Sequence, residues 1–203
     1  IDGRKAATIT MQGYYVLADV SGTTEWGIDP SVSFRVASRM QAEVSLNLSA
    51  GNYDAQWVGN PVDSAGTHYT FARMQQRTSA ITARFDYTVT PRLSVQLYAQ
   101  PFITAGDYSN LRELADPRAA RYADRFQPFA GTVEDFNVKQ FRSNTVVRWE
   151  YRPGSVLFLV WQQGRGQFDR NPGTFDIGRD YADLFRSRSD NTLLVKASYW
   201  WAR

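Results

Sequence analysis

The chain has 203 residues, 43% hydrophobic and 14% aromatic, with 11 Tyr, 12 Phe, 6 Trp and no cysteine. The missing cysteines exclude a disulfide framework and thiolate metal sites. With 23 basic residues against 20 acidic ones and no basic run, nothing points to nucleic acid, and no stretch approaches the ~20 apolar residues of a membrane-spanning helix.

The chain opens on Ile-Asp-Gly-Arg-Lys-Ala-Ala-Thr, with neither an initiating Met nor the apolar run of a signal peptide. It is expected to be a mature chain or an excised region. Period-two alternation then dominates and predicts eight strands, near 6–19, 30–36, 40–57, 68–89, 93–104, 137–151, 155–164 and 191–201. In the third, Met40, Ala42, Val44, Leu46 and Leu48 oppose Gln41, Glu43, Ser45, Asn47 and Ser49. In the fifth, Leu93, Val95, Leu97, Ala99 and Pro101 oppose Ser94, Gln96, Tyr98, Gln100 and Phe102. Such strands carry one apolar and one polar face.

Tight connections are expected around 37–39, 90–92 and 152–154, the last two with Pro or Gly as turn residues. Long ones are expected near 20–29, 58–67, 105–136 and 165–190. The two kinds alternate, so all tight turns and both termini fall at one end of the sheet, and all long loops at the other. Residues 110–126 have helix-like composition broken by Pro117, and 180–185 is expected to make one helical turn. Irregular loop is the alternative for both.

A soluble antiparallel barrel or sandwich and a transmembrane β-barrel both fit this pattern. A sheet in lipid must close, with strands of ~9–11 residues that are apolar outside and polar inside. Arg35, Glu43, Arg84, Asp86, Arg142, Arg148, Glu150 and Lys196 lie within strands, opposite apolar faces. In a membrane barrel they would line a wet interior. Phe85, Tyr87, Trp149, Tyr151, Tyr199 and Trp201 recur at the tight-turn end on the apolar side, as an interfacial girdle requires. A soluble sandwich has no reason to repeat aromatics at one level.

The expected fold is therefore all-β. It is an antiparallel up-and-down transmembrane barrel, with the eight strands forming a closed small barrel or the C-terminal part of a larger one. Residues 1–203 form one barrel domain or segment. Tight turns and termini would be periplasmic, in a bacterial outer membrane, and the long loops extracellular. The ending Ser-Tyr-Trp-Trp-Ala-Arg is similar to the signal that barrel-assembly machinery reads, although Trp201 is third from the end. One run resists a wide pore: 156–161, Val-Leu-Phe-Leu-Val-Trp, is apolar on both faces, so its inward side must meet something greasy.

Residues 82–114, 141–165 and 190–200 together resemble the C-terminal barrel of a bacterial family of unknown function, most specifically in Gln-Leu-Tyr-Ala-Gln-Pro-Phe (96–102) and Arg-Trp-Glu-Tyr-Arg-Pro-Gly-Ser (148–155). The resemblance runs from about residue 30 to the end. It implies an N-terminal domain like carbohydrate-binding module family nine followed by an outer-membrane barrel. That domain is absent from this chain, and family members generally have more barrel sequence. The resemblance carries no catalytic residue over.

His68, the single histidine, lies where a long loop becomes a strand, with Asp63 and Ser64 nearby. A hydrolase would need a Ser in reach of this base and a third group orienting it. A solvated loop-edge histidine is the plainer expectation. The inward charges, five positive and three negative, would mildly favour anions in a channel. Local pairs Arg84–Asp86 and Arg148–Glu150 are the favoured alternative, since residues two apart share a face. Asp107, Asp116, Asp124, Glu134, Asp135, Asp169, Asp176, Asp180 and Asp183 lack calcium-loop spacing and are expected to be solvated loop carboxylates. Gly164–Gly166 lacks the setting of a phosphate loop.

No cofactor, metal or catalytic residue is expected. The expected role is a conduit or scaffold rather than a catalyst. The alternatives are a barrel anchor for a binding or assembly complex, including a saccharide-related one, and a soluble β-domain. Expected partners are outer-membrane lipid, the barrel-assembly machinery, and other envelope subunits or an N-terminal part of the same protein.

Overall fold

The computed structural model describes residues 6–36, 38–170 and 174–201. In chain order the strands are β1 (Ala7–Ala18), β2 (Thr23–Val36), β3 (Met40–Gly59), the short pair β4 (Val62–Asp63) and β5 (Gly66–Thr67), β6 (Thr70–Thr90) and β7 (Leu93–Leu114). After a 3-10 turn at Tyr122–Arg125 come β8 (Phe126–Pro128), β9 (Phe136–Arg152), β10 (Ser155–Arg170), helix α1 (Ile177–Arg186) and β11 (Ser189–Ser198). Eight strands form one antiparallel sheet in the order β1-β2-β3-β6-β7-β9-β10-β11, with β8 added to β7. Every neighbour in that path is also a sequence neighbour among the long strands, so the meander is read directly from the alternation. The sheet does not close: β1 pairs with β2 and β11 with β10, and their outer edges are free of each other.

All eight expected strands form, and the tight turns at 91–92 and 153–154 are as predicted. Gly154, at φ 77, takes the left-handed position of its turn. In the turn around 37–39, Ala37 lies outside the described residues. Other expectations are corrected. The loop predicted at 20–29 is a four-residue turn, because Thr23 to Asp29 pair against β1. Residues 110–114 are strand, not helix, because β6 supplies a paired neighbour that overrides Leu/Arg/Glu helix propensity. Only Tyr122–Arg125 makes a helical turn there. The two long loops shrink accordingly, to 115–135, which includes β8, and 171–188, which includes α1.

Register assigns the faces. Ser33, Glu43, Arg84, Tyr98, Asn144, Gln162 and Thr192 form one continuous cross-strand row. Phe34, Ala42, Phe85, Leu97, Thr145, Trp161 and Leu193 form the adjacent row on the other face. The apolar face is continuous over the tight-turn half only. Above Pro101 and Phe141 the same face carries Ser79, Asn137 and Lys139, all buried, and α1 lies across it.

Among the described residues the buried apolar side chains are Ala72, Met74, Ile103, Ala105 and Leu184. All belong to the loop-end half or to α1. The tight-turn half leaves large apolar groups open, including Trp149, Leu159, Trp161 and Leu193. No helix among the described residues is long and apolar enough to cross a membrane.

Candidate functional site

The polar face holds every residue expected to line an interior. Arg35, Gln41 and Asp86 are successive partners, as are Glu43 and Arg84. Arg142 lies opposite Gln100, Arg148 opposite Ser94, Lys196 opposite Phe158, and Glu150 opposite Val156. The structure thus gathers the eight on one side of the sheet. Of the two local ion pairs expected, Arg148–Glu150 forms, at 3.7 Å. Arg84 makes no ion pair with Asp86; its guanidinium lies 5.9 Å from the centre of the Tyr98 ring, an attraction to the ring's negative face. The doubly apolar run is resolved by register. Val160 lies between Val146 and Leu194, so the inward apolar groups of three strands adjoin one another.

The six expected interface aromatics pair off on the opposite side. Phe85 and Tyr87, Trp149 and Tyr151, and Tyr199 and Trp201 have ring centroids 6.2, 6.1 and 6.0 Å apart. The two-residue spacing along a strand places the first two pairs side by side. Tyr199 and Trp201 lie just beyond the end of β11, which the expected strand 191–201 overran. Tyr151 donates to the Ser198 carbonyl and Arg152 to the Tyr199 hydroxyl, joining the last strand to the 153–154 turn.

The loop end carries two polar clusters that spacing did not reveal. β-Bulges interrupt β3 after Tyr53 and β7 near Asn110, on either side of Ala72 and Arg73. Asn110, at φ 52, takes the left-handed conformation that Asn tolerates. A bulge re-aims the side chains around it. Here the Asp54 carboxylate, nearly buried, accepts from Arg73 at 2.8 Å, from Arg112 and from the Tyr122 hydroxyl at 3.1 Å. The Arg112 guanidinium stacks 4.1 Å from the Phe126 ring centre. The 115–135 loop is thereby tied to three strands.

The second cluster docks α1. Asp176 caps the helix, accepting from the Arg179 amide at 2.8 Å. Asp180, fully buried, accepts from Asn137, from the Asp176 amide and from Arg179 at 2.9–3.1 Å. Lys139 is buried too; its ammonium donates to Asp169 at 2.6 Å and lies 3.8 Å from Asp180. Tyr181 meets Ser79 at 2.9 Å, Phe185 packs on Phe141, and Arg165 donates to the helix-end carbonyls of Phe185 and Ser187. Asp169 and Asp180 therefore depart from the expected solvated loop carboxylates. Asp135 does as well, accepting from the Tyr108 amide at 2.7 Å.

His68 is not a simple solvated side chain either. Nδ1 bonds the Glu113 carboxylate, Nε2 lies 3.0 Å from Asp63, and the ring packs on Phe129. Ser64 is not among the partners of His68. Glu113, then Asp63, stabilises the imidazolium and raises the His68 pKa above its ordinary 6.5. A raised folded-state pKa means the clamp's contribution is complete below pH 6.5 and is lost as pH rises through the raised value. Titration of the imidazole by NMR should give a midpoint above 6.5, with hydrogen exchange in the 60–69 loop accelerating above that midpoint. A midpoint at or below 6.5 would contradict the clamp.

Comparison with known proteins adds one match. No curated protein and no solved structure matches the chain. A family model for a domain of unknown function, DUF5916, matches residues 1–201. Spanning nearly the whole sequence, from the first strand through the final aromatic pair, that match makes this chain a member of the DUF5916 family.

Proposed function

We propose that the chain is an eight-strand wall of a bacterial outer-membrane β-barrel, serving as conduit or scaffold and not as a catalyst. One observation carries this reading: the apolar face is uncovered over the tight-turn half and stops where the polar clusters begin. From Leu93 to Pro101 that band is nine residues high, close to the ~9–11 a tilted spanning strand needs. The paired aromatics sit at its tight-turn rim. A water-soluble sheet of this size would leave Trp149, Leu159, Trp161 and Leu193 facing water at a cost of about 1.5–3 kcal/mol for each large side chain.

In this reading the tight turns face the periplasm, the packed loop end faces outward, and lipid and the barrel-assembly machinery are the partners. The free edges of β1 and β11 favour membership of a larger barrel, since lipid tolerates no unpaired edge. The resemblance to barrels that follow a carbohydrate-binding-module-like domain agrees with this, and supports a second role as the anchor of a saccharide-related assembly. The apolar patch around Val160 favours scaffold over wide pore.

Two adjacent residues test the wall. Val95 and Gln96 lie on opposite faces at one height. In a bilayer, Val95→Arg is expected to cost about 1–2 kcal/mol, between the interfacial and midplane values for a lipid-facing Arg, measured by denaturant titration of vesicle-inserted protein. Gln96→Arg should leave insertion near wild type. Equal tolerance at both positions, or a chain that stays monomeric without detergent, would sink the proposal. Single-channel recordings then separate conduit from scaffold.

A further inference from the structure

Strand glycines on the polar face are of two kinds. Gly27, Gly51 and Gly106 have no room for a side chain, because the rings of Tyr14, Tyr53 and Phe136 lie over them. Tyr14 and Phe136 do this from the directly opposite position on the neighbouring strand. Gly164 and Gly166 differ: a side chain on either would meet open space. They lie opposite Arg142 and Gln140, and leave a bare stretch of β10 in an otherwise side-chain-covered wall. A glycine within a strand weakens it and marks a bend, a bulge or a close approach by a ligand. The pairing of β9 with β10 runs without a register shift from Val156 to Arg170, which excludes a bulge, and two open glycines facing one cleft fit a close approach.

The bare stretch borders a cleft of about 580 Å³ whose walls include Tyr98, Gln140, Arg142, Asn144, Gln162 and Asp190. That volume lies within the ~300–1,000 Å³ of small-molecule sites. The Asn144 side-chain oxygen is buried and has no hydrogen-bond partner. Arg142, Arg165 and Asp190 are its charged lining residues. Arg165 points to the other face, where its guanidinium is spent on the helix-end carbonyls of Phe185 and Ser187, so the charged groups left to the cleft are one cation, Arg142, and one anion, Asp190. The three amides each offer donors and an acceptor in a plane, and Tyr98 adds an aromatic face. An anion could use only the donors, and a cation only the acceptors. A ligand that both donates and accepts at several neighbouring positions uses all of them.

We propose that this cleft is a binding subsite for a neutral, polyhydroxylated ligand, a saccharide unit, lying against the bare backbone of Gly164 and Gly166. It rests on the wall reading only in requiring the polar face to be wet.

The test is calorimetric titration of the full chain in a non-glycoside detergent with maltohexaose, cellohexaose and xylohexaose, and with glycylglycine as the peptide-like probe. Saturable binding of at least one oligosaccharide is expected, weakened about tenfold or more by Gly164→Leu and by Gly166→Leu. Both variants place a side chain in open space and are expected to unfold no earlier than wild type, which a thermal melt checks. No saturable binding of any of the three sugars, binding that both variants leave unchanged, or a preference for glycylglycine would overturn the proposal. Bilayer insertion is read separately through the Val95→Arg and Gln96→Arg pair, so failure of the subsite and failure of the wall are distinguishable.

Discussion

Asp180→Ala is expected to destabilise the loop end by about 3–5 kcal/mol, the range for removing one partner of a buried charged cluster. The carboxylate has no exposure and accepts from Asn137, the Asp176 amide and Arg179. Its loss leaves Asn137, itself buried with an unpartnered side-chain oxygen, with the Thr174 carbonyl at 3.2 Å as the remaining acceptor for its amide. It also takes one of two neighbouring anions from Lys139, which is 2% exposed. Amide hydrogen exchange across Ile177–Arg186 should report the undocking of α1 directly. Asp180→Leu combined with Lys139→Met should recover only part of the loss: it removes both buried charges, but leaves Asn137 and the Asp176 amide short of an acceptor and Asp169 short of a donor. An α1 that stays protected in the single variant would refute this account of its docking.

Asp54→Ala is expected to have the next largest effect, about 3 kcal/mol, because it strands donors from three elements at once. Arg112 suffers most, with a side chain only 12% exposed and a guanidinium fixed over Phe126. Its Nε has no partner even in the intact cluster. The 115–135 loop carries Arg118, Arg121 and Arg125, so limited trypsin digestion is the natural readout. A cost of this size, spent on releasing the loop, corresponds to roughly a hundredfold faster cleavage when opening and closing are rapid. Asp54→Asn keeps some hydrogen bonding and should fall between the two. Unchanged cleavage in the alanine variant would mean that aromatic packing of Phe71, Tyr122 and Phe126 holds the loop without the carboxylate.

The strands were legible because one face is apolar and the other polar, and the side-chain period records that difference residue by residue. Where the apolar stripe ends, so does the signal. Beyond Ala105, β7 continues through Asp107 and Ser109 with polar groups on both faces, and the Leu-Arg-Glu-Leu run at 111–114 argues for helix. Pairing with β6 decides otherwise. The turn around 20–29 misled for the opposite reason, since Glu25, Gly27 and Asp29 are weak strand formers held by β1 and β3 on either side. The clusters were hidden by distance along the chain: Asp54 meets Arg112 across 58 positions, and Asn137 meets Asp180 across 43. Asp176 ahead of Ile-Gly-Arg-Asp was a readable capping signal for α1. Which strand would receive the helix was not readable.

The meander has a further consequence in simple arithmetic. Eight antiparallel strands joined only to their sequence neighbours begin and end at the same rim, and the two free edges run in opposite directions. In the barrel proposed above, whatever completes the circumference would therefore contribute an even number of strands to keep every ladder antiparallel. Additions come as whole hairpins, each bringing one turn to the lower rim and one loop to the upper. Such a sheet can widen its perimeter without inverting anything already built, so the orientation of the α1 platform is independent of how large the finished ring becomes.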